Sequence, residues 1–491
     1  MKLWKNGTFH TMTHPGKTVT QIMTDQGRII AIGEDASRHQ PEQVVDLQGL
    51  HVYPGFVDAH MHLLGYGQKL SRLNLENHKD RAVVLDQLTH AFAGEPLFAE
   101  GYFDVGLTKH DLDRISPEVP IMLRHNDYHS LTVNTDVLAR IGLTSSSGVL
   151  TEDDAQRAMD AFPKHTREQL GKLLEKAISS LYTYGITGAH SDDLYYFNGF
   201  HETVAVFEHV LENMPFRAHL LMHHLVLDDY LKSGRAFLDQ HDFLQLGAIK
   251  LFYDGTISSR TALMHHPYKS VKTQGIRMFN DDDLEALLIK IRDHGLTAAV
   301  HVIGDLGLRE LTGWLAKHPP RQGLHDRIIH ASFADVETVK QLAGCPVVLD
   351  IQPQFMSSDL PWAFDYLGEP PALIYPWRTY LDAGLILAGS SDAPVEIPNP
   401  LLGIHAATER LSSHDGQCYG EHEKMTRFEA IRAYTTHANI PTYKSDRGLI
   451  DVGHIADFTL FDFDLETALP ERLLHAKCMM TIVDETVVHQ R

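Results

Sequence analysis

Two histidines, His60 and His62, stand two residues apart in DAHMH. Residues i and i+2 of a β-strand project to the same side, so two imidazoles at one strand tip can share a metal ion. Alone the pair is a weak signal, because an ordinary polar strand end looks the same. Three further groups sharpen it. His301 closes the run LTAAVH, His330 closes RIIH and Asp392 closes LILAGSSD. Each stands where a buried strand gives way to small or polar residues. Imidazole nitrogens and a carboxylate oxygen together suit Zn2+ or a similar divalent ion, one or two per chain. Any one of these histidines reads more simply as a satisfied core histidine; the joint pattern at four strand ends reads as a metal centre.

Lys250, in GAIKLFYDG, is flanked by apolar residues. A buried ammonium is costly and tends to lose its proton. The neutral amine can take up CO2 as a carbamate, an anionic oxygen ligand able to bridge two metals. The alternative is a structural lysine paired with Asp254 or another carboxylate. Asp305, in HVIGD, reads as a group that orients His301 or a loop. His129 and Asn134, in RHNDYHSLTVN, read either as substrate-binding groups or as loop-stabilising ones. Glu152 follows Thr151 in GVLTED, a helix-start signature.

These residues need a scaffold that brings strand ends together. Eight short runs ending in polar residues recur along the middle of the chain: 56–62, 186–192, 216–224, 247–254, 296–305, 327–333, 346–353 and 385–392. Helical stretches such as DDDLEALLIKIRDHG alternate with them, as in βα units. Eight strands are what a (β/α)8 barrel needs, and such barrels carry their sites at the C-terminal strand ends. The fold class is therefore α/β, a TIM barrel over 54–439. Residues 64–165 hold more chain than one βα unit and read as an insertion after the first strand, on the site's side of the barrel. Residues 1–53 and 440–491 share a texture of short β-type runs broken by turns, and read as one small β-sandwich built from both termini.

Composition narrows the function. The chain has 491 residues and a net charge of −21. That balance argues against nucleic acid and anionic membrane surfaces as partners. No apolar run approaches a membrane span, and MKLWKNGTFHTM lacks an apolar leader. Three widely spaced cysteines, Cys345, Cys418 and Cys478, make no disulfide framework. A cytoplasmic protein with a small-molecule substrate is expected, and a homodimer is compatible with it.

The pattern DAHMH, IKLFYDG, HVIGD, RIIH and GSSDAPVEIPNP resembles the amidohydrolase superfamily of metal-dependent hydrolases. It is most similar to the branch of N-substituted formamide deformylase-like enzymes. YPGFVDAHMHLLGYG, DGTISSRTAL and AIRAYTTHANI extend the resemblance nearly end to end. It implies a metal-bearing barrel with a terminal β-sandwich. It further implies that His60 and His62 form the first metal pair, Lys250 is the carboxylated bridge and His301 and His330 hold the second metal. Asp392 would be the last ligand and the proton shuttle. The family more often has Glu where this chain has Ile329. The implied activity is hydrolysis of an amide, formamide or cyclic amide. The alternatives are deamination of an amino-substituted heterocycle and a non-enzymatic regulatory role. Such deaminases usually lack the lysine, so Lys250 favours the first.

Overall fold

The computed structural model describes residues 1–76, 78–125 and 130–491. Eight parallel strands form its largest sheet: β1 (Phe56–Met61), β2 (Ile186–Ser191), β3 (Arg217–His223), β4 (Leu244–Phe252), β5 (Ala298–Val302), β6 (Asp326–His330), β7 (Val347–Ile351) and β8 (Ile386–Gly389). They are hydrogen-bonded in chain order from β1 to β8, with one short antiparallel strand, Gln240–His241, beside β4. β1, β2, β5, β6 and β7 are buried at every position. This is the mark of parallel strands covered on both faces.

Helices alternate with the strands, and local sequence explains them. In Asp281–Asp293, the Asn280 side chain caps the first turn, three aspartates follow it, and Lys290 and Arg292 occupy the last turn. Both charge placements suit the helix dipole. Leu284, Leu288 and Ile291 form its buried stripe at i, i+4 and i+7.

β8 and β1 share no ladder, and polar bonds close the seam between them. The Asp392 N–H donates to the His60 carbonyl at 2.9 Å, and the His62 N–H to the Ala393 carbonyl at 2.7 Å. The buried Asp58 carboxylate accepts from Ser391 N–H at 3.1 Å and from Ser391 Oγ at 2.5 Å. Arg327 on β6, paired with Asp350 on β7 at 2.8 Å, donates to the Ala59 carbonyl at 2.5 Å. The seam thus lies directly beneath the strand ends that carry His60, His62 and Asp392.

Both chain ends enter one eight-stranded sheet. Its hydrogen-bonded order is Thr486–Gln490, Met480–Val483, Phe458–Phe461, His51–Pro54, Lys2–His10, Thr18–Asp25 and Arg28–Ile32, with Gln43–Asp46 added to Lys2–His10. Trp4, Phe9, Ile22 and Val52 share a core with Ile450, Phe458, Leu460 and Ile482. The apolar faces of these short strands are thus covered by residues from the other end of the chain.

By contact density, Met1–Tyr66 and Leu170–Arg491 form one compact unit and Gly67–Gln169 a second. The second unit holds a five-stranded sheet and two apolar clusters, around Leu112 and Leu123 and around Val133 and Leu138. Among the described residues, no helix is long and apolar enough to cross a membrane.

Candidate metal centre

His60 is the fifth residue of β1, and His62 follows its last. The Nε2 atoms of both stand 3.5 Å from Asp392 Oδ1. All three donor atoms fall within 4.8 Å of one another. His62 Nδ1–H donates to the Asp192 carbonyl at 2.8 Å, so the second proton of the ring sits on Nε2, facing Asp392. Burial by itself would depress His62, but the hydrogen bond and charge of Asp392 push it up to about 9. Burial would conversely raise Asp392, and the His62 hydrogen bond with the surrounding positive charge brings it below the usual carboxylate range. The His62 proton therefore sits where a divalent ion could replace it, so binding an ion there would release a proton.

His301 and His330 form the second part of the centre. His301 Nε2–H donates to the Gly255 carbonyl at 3.2 Å. His330 Nδ1–H donates to Gln352 Oε1 at 2.7 Å. The Gln352 amide is itself oriented, because its Nε2 donates to the Asp350 carbonyl at 3.0 Å and to Ser390 Oγ at 2.8 Å. Outer partners thus claim one N–H of each ring. The remaining lone pairs, on His301 Nδ1 and His330 Nε2, face each other at 2.8 Å. Two acceptors at that distance repel unless a cation lies against both. Burial keeps the rings neutral: it pulls His330 down to about 4 and His301 well below the ordinary value. Neutral, oriented imidazoles are the form that ligates a metal. The donor set fits a divalent ion.

Lys250 enters from β4, fully buried, with Nζ 3.4 Å from His60 Nε2 and 3.4 Å from Asp192 Oδ2. It lies over the Phe252 ring at 4.4 Å. Its carboxylate partner is therefore Asp192 rather than Asp254. Asp254 accepts from the N–H groups of Leu263 at 2.8 Å, Ile303 at 3.0 Å and Gly304 at 2.8 Å, and so ties together the loops after β4 and β5. His330 and Asp392 both adopt left-handed backbone conformations, with φ of 78° and 55°. Non-glycine residues seldom hold that conformation, and it concentrates at functional sites.

The other sequence candidates lie elsewhere. Asp305 opens the helix Asp305–Lys317 and accepts from His265 N–H at 2.8 Å; it holds a loop rather than the His301 ring. Asn134 caps the helix Thr135–Arg140 and is fully buried. Its Oδ1 accepts from Ile121 and Val137 N–H at 3.2 and 3.3 Å, and its Nδ2 donates to the Ser116 and Val119 carbonyls at 2.8 and 2.7 Å. Four backbone bonds occupy the amide, which is the loop-stabilising one of its two readings. His129 lies outside the described residues. Thr151 precedes the helix Glu152–Ala161.

Sequence reasoning passed over Asp192 and Gln352, although both stand just past barrel strands. The rule that selected His301 and Asp392 would have found them had carbonyl and amide groups been sought as well as metal donors. It also passed over an aromatic wall. Tyr196 approaches the His62 ring at 5.8 Å, and Tyr195 stacks on His223 at 4.6 Å. Tyr195, Tyr196, Val395 and Ile397 remain exposed.

A parallel α/β barrel with imidazole and carboxylate donors at its C-terminal strand ends defines the class: a metal-dependent hydrolase. Residues 43–489 match the family model described as the amidohydrolase family. The chain is 33% identical to YtcJ of Bacillus subtilis, whose own assignment as an amidohydrolase is provisional, over 100% of this chain and 99% of that protein. It is 21% identical to the N-substituted formamide deformylase of Arthrobacter pascens, over 99% of this chain and 98% of that one. An uncharacterised metal-dependent hydrolase from Pyrococcus horikoshii OT3 superposes with a TM-score of 0.84, covering 96% of this chain and 99% of that one at 24% identity. The chain belongs to the amidohydrolase family, and it is an enzyme that hydrolyses carbon–nitrogen bonds other than peptide bonds.

Proposed function

We propose that the enzyme opens an amide, formamide or cyclic-amide bond of a small molecule, with Asp392 moving the proton. The observation that carries this reading is the pair of facing lone pairs on His301 and His330, 2.8 Å apart and held by outer partners. With His60, His62 and Asp392 they make five donors for one or two divalent ions, zinc being the favoured identity. When bound, such an ion supplies Lewis acidity and lowers the pKa of water towards neutrality.

This chain's own residues do the rest. Hydrolysis joins a water oxygen to the carbonyl carbon and breaks the C–N bond, so the departing nitrogen needs a proton. Asp392 turns one oxygen to His60 and His62. Its carboxylate, held in the ionised form, can take the proton from water and deliver it to that nitrogen. Lys250 is proposed in the carboxylated form: its nitrogen bonds to the carbon of CO2, a proton leaves, and the carbamate carries negative charge next to His60. Its nitrogen is buried beside His60 and the Phe252 ring, next to the proposed ions. Tyr195, Tyr196, Val395 and Ile397 favour a substrate with an apolar or planar group beside the scissile bond. The free Cys345, Cys418 and Cys478 suit a reducing cytoplasm.

The test is a substrate panel of N-formyl, N-acyl and cyclic amides run beside aminated heterocycles, on protein of measured metal content. Carboxylate or formate release from the amides is expected. Ammonia release confined to the heterocycles would replace this reading with a deaminase.

A further inference from the structure

Among the described residues, two groups of three side chains have donor atoms close enough to share an ion: His60, His62 and Asp392 of the centre above, and His10, His51 and Asp464. We propose that the second group is a structural binding site for a divalent transition metal, zinc or one of similar chemistry, in the β domain.

The three residues come from neighbouring strands. His10 ends Lys2–His10, His51 begins His51–Pro54, and Asp464 follows Phe458–Phe461; the middle strand pairs with both others. His10 is buried. Its Nδ1 stands 3.3 Å from Glu466 Oε1, and a carboxylate can only accept. Glu466 is itself placed by the Gly16 N–H at 3.2 Å. The His10 proton therefore sits on Nδ1, and the Nε2 lone pair points inward. Carboxylate support behind a ligating histidine is the usual arrangement at protein metal sites.

The inward atoms have the right spacing. His10 Nε2 is 3.0 Å from His51 Nδ1 and 3.9 Å from Asp464 Oδ1. Zinc–donor bonds of about 2.0–2.1 Å at tetrahedral angles put neighbouring donors about 3.3 Å apart. His51 Nδ1 and Asp464 Oδ1 lie within 4.8 Å of each other, and Asp464 would have to close on His10 by about 0.6 Å to seat the ion. Tyr53 sets the geometry: its ring stacks on His10 at 4.2 Å, and its hydroxyl donates to Asp464 Oδ1 at 2.9 Å. Three protein donors leave a fourth position for water. An ion here would clamp the first strands of the chain to the last segment, which closes the β domain without chain connectivity.

The experiment is equilibrium dialysis of the whole enzyme against low-micromolar zinc, with metal counted per chain by elemental analysis. The parent should hold one ion more than His51→Gln, and both should turn over substrate equally. Glu466→Gln, which removes no ligand, should weaken the extra ion about 10- to 100-fold. Zinc should raise the Tm of the parent above that of His51→Gln. Equal metal content in parent and His51→Gln would overturn the proposal and leave a hydrogen-bonded histidine pair. If His51→Gln does not fold, Glu466→Gln decides, and an unchanged affinity there overturns the proposal as well. Neither result touches the barrel centre, whose ions both variants should retain.

Discussion

Replacing Asp392 by asparagine separates the proposed chemistry from the architecture. Asparagine has nearly the same shape and tolerates the left-handed backbone that position 392 adopts at φ 55°. The Asp392 N–H bond to the His60 carbonyl, 2.9 Å long, uses only backbone and survives the change. Four histidines remain to hold metal. What disappears is the negative charge 3.5 Å from both His60 and His62, together with the group proposed to carry the proton. A general acid–base group typically contributes about 10²–10⁴-fold, or roughly 3–5 kcal/mol of barrier. Asp392→Asn should therefore keep its fold and most of its metal, and lose at least about 100-fold in kcat on any amide the parent accepts. The assay is single-substrate turnover with metal content measured on the same preparation and near-UV circular dichroism as the fold control. A variant with parental metal and parental turnover would refute the proton-shuttle reasoning while leaving the barrel intact.

Gln352→Leu removes the acceptor that orients His330 and should weaken metal binding about 10- to 100-fold, read by competition with a chelator; an unchanged affinity would mean that the Gln352 contact does not set the His330 lone pair. Lys250→Ala should lose metal and be partly rescued by short-chain carboxylic acids, whereas a metal-replete, unrescued variant would reduce Lys250 to a structural partner of Asp192. Asp359 tests burial away from the centre: burial pushes its carboxyl up to about 6, although the Tyr375 hydroxyl donates to it at 2.5 Å. Because the folded chain then holds a proton that the unfolded chain releases near pH 4, the parent should lose stability as pH rises from 4 to 6. The loss is at most roughly 2–3 kcal/mol, and Asp359→Asn should be spared it; denaturant melts of both proteins at pH 4.5 and 7 would show parallel behaviour if the argument is wrong.

Residue order along the chain was enough to locate the eight barrel strands and to put His60, His62, Lys250, His301, His330 and Asp392 near their ends. Strand formation and the side a residue faces depend on neighbours two to four positions away, and that information is local. The union of the chain termini in one sheet was legible for a related reason, since each end offers short apolar faces too small to bury themselves. Partners across space were not legible. Lys250 faces Asp192 across the barrel, and not Asp254 on its own loop, because the strand order β2–β3–β4 and the twist of the sheet decide which side chains meet. Asn134 could be read either as substrate-binding or as loop-stabilising until the fold supplied four backbone groups that occupy its amide. The tautomers of His301 and His330 depend on Gly255 and Gln352, the latter from a neighbouring strand. His10 and Asp464 are 454 positions apart and are neighbours only because the sheet places their strands on either side of His51–Pro54. Composition and spacing determine which donors exist and which strands carry them. Hydrogen-bond partners, protonation and the meeting of distant donors are set by barrel closure and sheet order, which no local pattern encodes.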